Sequence, residues 1–537
     1  MKRRDFLEFG LITGATAMAA GHPALASAAP AGLDSIVLEA SVPQLHAAIA
    51  GGRMSARSLA AFYLDRIRRI DRSGPRLNSV IEINPDALRI AAQLDDERAR
   101  KGVRGPLHGI PVLLKDNIAT ADRMSTSAGS FALAGVRPPR DSQVAARLRA
   151  AGAVILGKTN LSEWANLRST RSTSGWSARG GLTRNPYALD RNPSGSSSGS
   201  AAAIAANLAA LSVGTETDGS IVSPASICGL VGIKPTLGLV SRSGIVPIAH
   251  SQDTAGPMTR NVTDAALLLS ALAGVDPLDA ATKEGDGKAA DYTKFLDPDG
   301  LAGARIGVAR NFFGGSDEVD AEIEKALKAL QARGAVLVDP VEVPNTDKYQ
   351  DSELEVLLYE FKAGLQAYLA AYAPTAKIRD MGDLIAFNLR HRAREMPYFG
   401  QEYLIRANAK GGLDSKEYLD ALANNHRYAR TEGLDRVLRE HRLDALVAPT
   451  GGPAWLTDFI NGDHFTGGFS TPAAVAGYPH ITVPAGFVRG LPVGLSFVGP
   501  AWSEPTLIKL AYAFEQATRH RRAPGFPRTV SAQTVRS

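Results

Sequence analysis

Apolar residues recur along much of the chain with the period of amphipathic helices. In the segment "MSARSLAAFYLDRIRRI", Leu59, Tyr63, Ile67 and Ile70 share one helical face. Ser55, a residue type that caps helix starts, lies just before this face. The pattern predicts a helix with one buried side.

A second helical segment, "NPDALRIAAQLDDERARKG", carries its own start and stop signals. Asn84 is a capping residue type, Pro85 suits the first helical position, and Gly102 lies just past the end. These signals predict a surface helix that begins at Pro85.

Short apolar runs of strand length alternate with the helical segments. A continuous apolar run is typical of a strand that is buried on both faces. The runs are "IPVLL" from residue 110, "AVIL" from 153, "RIGVA" from 305, "AVLV" from 335, "ALVAP" from 445, "ITVPA" from 481 and "LSFV" from 495. Strands that alternate with helices predict an α/β fold in which helices cover both faces of a sheet.

Composition and charge narrow the class of protein. Of the 537 residues, 45% are hydrophobic and 21% are charged, as in an ordinary soluble globular enzyme. The formal net charge is +6, but the Lys and Arg residues are scattered rather than gathered in a stripe, so we expect no nucleic-acid partner. The single cysteine, Cys228, excludes an intramolecular disulfide and a Cys-rich metal site.

The first thirty residues, "MKRRDFLEFGLITGATAMAAGHPALASAAP", have the pattern of an export signal. Arg3 and Arg4 precede a mildly apolar run to about residue 20, and the small residues "ASA" follow at 26–28. This pattern resembles a twin-arginine signal peptide over residues 1–28. The apolar run is too short and too rich in Gly, Ala and Thr to span a bilayer. We therefore expect a periplasmic or secreted protein without a membrane anchor after signal cleavage.

The segment "GAVILGKT" at 152–159 formally matches a phosphate-binding loop. Such a loop needs a strand before its first glycine and a flexible turn between its two glycines. Here a helical pattern precedes Gly152, and "AVIL" between the glycines reads as a buried strand. The match therefore does not indicate nucleotide binding.

Two small-residue stretches offer serine nucleophiles. The stretch "GSSSG" at 195–199 matches a nucleophile elbow centred on Ser197, but an elbow needs a strand directly before it, and "LDRNPS" has no strand pattern. The second stretch is "GTETDGSIVSPASICG". In it, the turn from Thr217 to Ser220 can present consecutive backbone N–H groups beside the Ser220 hydroxyl, as an oxyanion hole requires.

A serine nucleophile needs a base, and the residues leave the choice open. Sequence alone excludes none of the ten histidines, although His108, His250 and His480 lie in apolar or loop segments where structural histidines are common. Lys115 follows an apolar strand, where burial would disfavour its charge and make it a base near neutral pH. The alternative is that Lys115 pairs with Asp116 or extends to solvent.

Five ordered blocks resemble the amidase signature family: "GIPVLLKDNI", "AGAVILGKTNLSEWAN", "NPSGSSSGSAAAIA", "GTETDGSIVSPASICGLVGIKPTLGLVSRSGIVP" and "SQDTAGPMTRNVTDAALLL". The resemblance implies a single large α/β domain at about 33–520, with a central mixed β-sheet covered by helices on both faces. The signature core would span about 105–275 and a variable, substrate-shaping region about 280–440, with a C-terminal tail at 521–537.

The resemblance also implies a catalytic apparatus. Lys115 would be the base, Ser196 the bridging serine after a cis peptide bond, and Ser220 the acylated nucleophile. Backbone N–H groups of Thr217, Asp218, Gly219 and Ser220 would form the oxyanion hole. The family chemistry uses no metal and no organic cofactor, and the sequence has no His-Glu-x-x-His site.

Among family members, "GTETDGSIVSPA" and "GLVSRSGIVPI" are most similar to bacterial peptide amidases, which release ammonia from peptide C-terminal amides. Asp218 occupies a position where many family members have glycine. The resemblance thus implies hydrolysis of a peptide or other small amide, with the oligomeric state left open. Alternatives are an esterase of the α/β-hydrolase type that uses Ser197 and an inactive exported binding relative. A β-lactamase is excluded because no lysine has serine three positions before it.

Overall fold

The central feature of the molecule is one mixed β-sheet of eleven strands, seen in a computed structural model that describes residues 32–530. The strands of the described chain are β1 (Val80–Ile83), β2 (Pro111–Lys115), β3 (Val154–Thr159), β4 (Trp176–Ser177), β5 (Gly181–Leu182), β6 (Leu211–Glu216), β7 (Val231–Lys234), β8 (Thr254–Thr259), β9 (Arg305–Ala309), β10 (Val336–Val341), β11 (Ala445–Pro449), β12 (His480–Val488) and β13 (Leu491–Val498). The order across the sheet is β1-β3-β2-β6-β8-β7-β12-β13-β11-β9-β10, and β4 and β5 form a separate ribbon.

The helices of the same residues are interspersed with these strands. They are α1 (Asp34–Val37), α2 (Val42–Ala50), α3 (Ala56–Arg66), α4 (Ala87–Lys101), α5 (Gln143–Ala150), α6 (Ser198–Ala205), α7 (Val222–Ile227), α8 (Val262–Leu272), α9 (Asp317–Ala332), α10 (Gln350–Tyr372), α11 (Met381–Arg390), α12 (Arg392–Glu395), α13 (Glu402–Asn408), α14 (Lys416–His426), α15 (Asp435–Glu440), α16 (Ser470–Ala476) and α17 (Glu504–Thr518). No helix among the described residues has the length and apolar character needed to cross a membrane.

Both strand directions occur in the sheet. β2 is parallel to β3 and β6, and β9 is parallel to β10 and β11. Between β6 and β11, the four consecutive strands β8, β7, β12 and β13 each pair antiparallel with both neighbours. All seven apolar runs of the sequence lie in this sheet, and helices flank it. The prediction of one large α/β domain with a central mixed sheet is therefore confirmed.

The central strand β8 carries none of the usual strand signals. It contains Gly256 and Pro257, residue types that propensity excludes from sheet interiors. A methyl group at Gly256 would lie 2.0 Å from the Ile233 carbonyl oxygen, so only glycine allows this approach between neighbouring backbones. Packing against β6 and β7, rather than local preference, makes this segment a strand.

The helix predicted to begin at Pro85 begins two residues later. α4 starts at Ala87, while the Asn84 side chain donates to the Ile155 carbonyl and accepts from the Asp86 N–H over 2.9 Å. Asn84 thus organises the turn before the helix and ties it to β3. The predicted cap of the preceding helix is correct, because Ser55 Oγ accepts from Ser58 N at the start of α3.

Helix α6 is buried along its whole length against the sheet. Its alanines leave little side-chain volume between the helix and the strands. A methyl group at Gly199, in its first turn, would lie 2.2 Å from Ser79 O and 2.5 Å from Asn160 O. This contact explains the second glycine of the "GSSSG" stretch, because any side chain would push the helix start away from the sheet.

The structure describes only some of the segments predicted at the ends of the chain. The predicted signal at 1–28 lies outside them, as does the end of the tail beyond residue 530. The start of the tail packs on the domain, since Arg521 forms an ion pair with Glu39 over 2.9 Å. Strands β9 and β10 come from the region 280–440, so that region contributes to the sheet as well.

Candidate active site

Lys115 ends β2 in the interior of the sheet, beside β6. Its side chain is fully buried. Its Nζ lies 2.7 Å from Ser196 Oγ, and it donates to Thr215 Oγ1 over 2.8 Å and to Thr215 O over 3.2 Å. Asn117 Nδ2 also donates to Thr215 Oγ1, over 2.9 Å. Within residues 32–530, Lys115 forms no salt bridge with a carboxylate, so oxygens of uncharged groups surround its amine.

Burial lowers the pKa of Lys115 to about 7, because the interior disfavours the ammonium form. The nearby carboxylates of Asp253 and Glu216 act in the opposite direction. Near neutral pH a substantial fraction of the side chain is therefore a neutral amine. The alternative pairing of Lys115 with Asp116 does not occur, because Asp116 Oδ2 accepts from Arg179 over 3.3 Å.

Burial alone does not single out Lys115, because Lys158 and Lys234 are also fully buried. Lys158 Nζ donates to Thr126 Oγ1 over 2.9 Å, and Lys234 Nζ donates to Pro235 O over 3.0 Å. Burial lowers the pKa of each of these lysines to about 8. Of the three, Lys115 is the one whose amine contacts a serine hydroxyl.

Lys158 belongs to the segment that resembles a phosphate-binding loop. Residues 154–159 form the buried strand β3, and Gly152 follows the end of α5 with a φ of +79°. There is no open loop between the two glycines. The structure agrees with the interpretation that this segment does not cradle a phosphate.

Ser196 is held in a tight turn before α6. The peptide bond between Gly195 and Ser196 is cis, as the resemblance implies. Ser162 N–H donates to Ser196 O over 3.1 Å, and a methyl group at Gly195 would lie 2.2 Å from Ser162 Oγ. The first glycine of the "GSSSG" stretch therefore allows the segment that carries Ser162 to approach the turn.

Ser197 faces the protein interior. Its Oγ donates to Thr215 O over 3.0 Å and accepts from Thr215 N over 3.2 Å, and the side chain is fully buried. In the described chain no strand lies between β5 and α6. Ser197 thus lacks both the exposure and the preceding strand of a nucleophile elbow.

Ser220 lies in a loop with free backbone donors. Among the described residues, the N–H groups of Thr217, Asp218, Gly219 and Ser220 donate no hydrogen bond. Gly219 has a φ of +74°, a left-handed conformation that suits glycine. Four consecutive unused donors beside a serine hydroxyl are available to stabilise an oxyanion.

The two serine loops contact each other through the backbone. Ser197 N–H donates to Ser220 O over 3.2 Å. Within residues 32–530 no hydrogen bond joins Ser220 Oγ to Ser196 Oγ. A proton relay between the two hydroxyls would require this contact to form when substrate binds.

Glu216, which the motifs did not single out, organises the loop at 217–220. This loop is called the nucleophile loop because it carries the predicted nucleophile Ser220. Its Oε2 accepts from Ile221 N over 2.7 Å and from Val222 N over 3.0 Å. Burial raises the pKa of Glu216, while the positive charge of Lys234 opposes this shift. The carboxylate fixes the two N–H groups that follow Ser220 and so helps to hold the loop in which the four preceding N–H groups have no acceptor.

Asp253 holds the same loop from another side. Asp253 Oδ1 accepts from Thr217 Oγ1 over 2.6 Å, and its Oδ2 accepts from Ile248 N and Ala249 N. Burial raises the pKa of Asp253 to about 6. The residue falls in the "SQDT" block, whose resemblance could have indicated it, although no local pattern predicts the contact with Thr217.

Asp218 turns away from the loop backbone toward α16. Its Oδ2 accepts from Thr471 Oγ1 over 2.7 Å. Burial, followed by the charge of Asp218, raises the pKa of Glu353 well above its usual range, and burial likewise raises the pKa of Asp218. Gln252 Nε2 donates to Glu353 Oε1 over 2.8 Å and to Thr217 O over 3.3 Å. An acidic pair therefore borders the nucleophile loop.

In the described part of the chain, none of the three histidines noted in the sequence forms a hydrogen bond with Ser196 or Ser220. His480 Nε2 is 2.6 Å from Ser496 Oγ, and burial lowers the pKa of His480 to about 3. His108 contacts a backbone carbonyl, and exposed His250 lies 3.4 Å from a glutamate. No group of three or more side chains suited to a metal ion occurs in the part of the chain that is described.

A mixed sheet that brings a buried lysine to a serine after a cis bond, with a second serine in an N–H-rich loop, defines an amidase signature enzyme. Sequence comparison agrees, since the Amidase family profile matches residues 62–508. A probable amidase of Arabidopsis thaliana is 43% identical over 500 residues, covering 91% of this chain and 92% of that protein.

Solved structures of amidases are also similar to this chain. The native peptide amidase of Stenotrophomonas maltophilia superposes with a TM-score of 0.86 at 54% identity, covering 91% of this chain and 99% of that one. An amidase family protein of Bacillus anthracis has a TM-score of 0.83 at 40% identity, covering 92% and 93% of the two chains. The chain belongs to the amidase family and is an amidase, a hydrolase of carbon–nitrogen bonds.

The role of Glu216 in holding the nucleophile loop predicts the effect of its removal. Glu216→Ala leaves the N–H groups of Ile221 and Val222 without their acceptor, so the loop shifts and kcat/KM for an amide falls about 100-fold. Glu216→Gln keeps an oxygen acceptor and should retain most of the activity. Steady-state ammonia release measures both variants, and equal losses in the two would contradict a role through these hydrogen bonds.

Proposed function

We propose that this amidase hydrolyses a C-terminal carboxamide of a peptide or another small amide through an acyl-enzyme on Ser220. The observation that carries the proposal is the 2.7 Å contact between the buried amine of Lys115 and Ser196 Oγ, next to the loop with free N–H groups. The two features supply a base and an oxyanion hole on adjoining backbone segments.

The surroundings of Lys115 suit a neutral base. A neutral amine has two hydrogens and one lone pair. The Thr215 carbonyl and hydroxyl oxygens can take the two hydrogens, which leaves the lone pair directed at Ser196 Oγ. Lys115 then takes the Ser196 proton while Ser196 takes the proton of Ser220, and Ser220 Oγ bonds to the amide carbon.

The negative charge on the substrate oxygen would be stabilised by the N–H groups of residues 217–220. When the tetrahedral intermediate collapses, the C–N bond breaks and Ser196 gives a proton to the leaving nitrogen. Lys115 returns its proton to Ser196, and ammonia or an amine departs. Water, deprotonated through the same two groups, then attacks the acyl carbon and restores Ser220 as the acid leaves.

Two observations support a carboxamide of a peptide as the substrate. One is the 54% identity to the peptide amidase of Stenotrophomonas maltophilia over nearly its whole length. The other is the acidic pair of Asp218 and Glu353 beside the nucleophile loop. Although burial raises the pKa of both carboxyls, the negative charge that the pair retains opposes a free carboxylate and tolerates an uncharged amide, so it would favour binding of the amide and release of the acid.

Ammonia release from a panel of amides tests both substrate and nucleophile. The panel contains peptide C-terminal amides, free amino acid amides, aryl amides and fatty amides, and the peptide amides should give the highest kcat/KM. Ser220→Ala should lose at least about 10⁴-fold in kcat, since it removes the attacking atom.

Ser197→Ala is the matched control, because it removes a neighbouring hydroxyl that only bridges backbone groups of Thr215. It should lose no more than about tenfold. Activity that survives Ser220→Ala but not Ser197→Ala would favour the elbow alternative, and a wild-type protein inert on every amide would favour a binding relative.

The proposed base predicts a pH profile. Protonation of Lys115 below its pKa of about 7 removes the base, so kcat/KM should rise with pH and level off above about 8. Below about pH 6 it should fall about tenfold per pH unit. Lys115→Ala should lose activity most strongly near neutral pH, and an unchanged rate and profile in that variant would refute the role.

Export is the remaining element of the proposed function. The twin-arginine pattern supports a mature protein that begins near residue 29 in the periplasm or outside the cell. N-terminal sequencing of the periplasmic fraction is the measurement. The twin substitution Arg3→Lys and Arg4→Lys should keep the protein in the cytoplasm, whereas an intact Met1 terminus on wild-type protein would count against cleavage.

A further inference from the structure

Three apolar side chains of one surface loop are exposed. Ile460 is 84% exposed, Leu456 54% and Phe465 52%, and all three belong to the loop at 453–466. Phe459 of this loop stacks on exposed Tyr398, with ring centroids 4.0 Å apart. These five residues are called the apolar rim. Exposed apolar groups gathered at one place mark a binding surface more often than single exposed residues do.

A cavity of about 700 Å³ lies along the same loop, lined by Leu456, Trp455 and Thr466 among others. A second cavity of about 330 Å³ shares Gly315, Ser316 and Thr466 with the first. The two cavities therefore adjoin, and together they are called the groove. Its volume is suited to a short stretch of peptide rather than to a single small amide.

The inner end of the groove leads toward the nucleophile loop. The second cavity is lined by Gly468, two residues before Ser470 at the start of α16. A methyl group at Gly219 would lie 3.0 Å from Ser470 Oγ, and the next residue, Thr471, donates to Asp218. The lining of the groove thus ends two residues from a side chain that lies against the loop of Ser220.

The loop of the rim is also tied to the turn that carries Ser196. Asp463 accepts from Ser174 N over 3.0 Å and from Asn192 Nδ2 over 3.4 Å. Asn192 Oδ1 in turn accepts from Ser194 N over 2.7 Å, just before the cis bond. The loop therefore has a fixed position relative to the proposed bridging serine.

A buried arginine, Arg168, supports the aromatic part of the rim. Arg168 is fully buried, and its guanidinium lies 4.4 Å from the ring centre of Phe399 and 5.3 Å from that of Trp176. It donates to the carbonyls of Phe399 and Gly400 over 2.9 and 3.0 Å. These contacts hold neighbouring Tyr398 against Phe459, so the rim is preorganised.

We propose that the apolar rim and the groove form a subsite for apolar side chains of the residues that precede the amidated residue in a peptide substrate. The subsite rests on the proposed function, because it requires a peptide amide at Ser220. Its occupant is the substrate's own chain. The groove favours this occupant over a separate partner because its lining ends two residues from Ser470, which lies against Gly219 in the nucleophile loop.

The test compares kcat/KM for Phe-Phe-Leu-amide and Gly-Gly-Leu-amide, with leucinamide as a substrate that cannot reach the rim. Wild type should prefer the Phe peptide about tenfold or more, mainly through KM. In the double variant Leu456→Ser/Ile460→Ser this ratio should fall about fivefold or more. Leu419→Ser is the matched control, since Leu419 on α14 is 51% exposed and lies outside the rim, and it should keep the wild-type ratio.

The outcomes separate the subsite from the function on which it rests. A wild-type ratio near one, or an unchanged ratio in the double variant, overturns the subsite while turnover of leucinamide leaves the amidase activity on amino acid amides intact. An equal fall in Leu419→Ser also overturns it, because the effect would then be general. Absence of ammonia from all three substrates overturns the proposed function and the subsite together.

Discussion

The burial of one lysine amine at the end of β2 is the constraint on which the rest of the site depends. A buried ammonium without a paired carboxylate is costly, and Lys115 avoids this cost by a lowered pKa near neutrality. Its amine needs oxygen partners in the interior, and Thr215 and Ser196 provide them within 3.2 Å. The same burial makes Lys115 suitable as the proposed base, because the neutral amine that avoids the cost of a buried charge is also the form that can accept a proton.

The order of the sheet brings these partners together. β2 and β6 are parallel neighbours, so Lys115 at the end of one strand meets Thr215 near the end of the other. Helix α6 leads from the turn of Ser196 into the sheet, and the loop after β6 carries Ser220. Functional groups from separate stretches of chain therefore gather at the carboxyl ends of adjacent strands, a location common to binding sites of α/β folds.

Two buried carboxylates, Glu216 and Asp253, hold the loop that carries Ser220. Glu216 and Asp253 accept backbone or hydroxyl hydrogens of the nucleophile loop, and both act on Lys115 through their charge. They hold the loop in the form that leaves the N–H groups of 217–220 unused. Neither residue is marked by a local pattern, because the contacts of each depend on a loop whose shape is set by packing.

Strand β8 was not predicted from the sequence for a similar reason. Gly256 and Pro257 are tolerated in it only because it packs closely against neighbouring strands.

The sequence by itself determined the α/β class, the seven apolar strands and the family, because apolar periodicity and ordered motif blocks are local properties. The family resemblance also predicts catalytic roles for Lys115, Ser196 and Ser220, but the residues alone left open whether Lys115 is paired with Asp116 and whether Ser197 is exposed. Only the tertiary structure decided these points, by turning Asp116 toward Arg179 and Ser197 toward Thr215. The physical reason is distance along the chain: Lys115 and Ser196 are 81 positions apart, and their contact exists only when the sheet has formed.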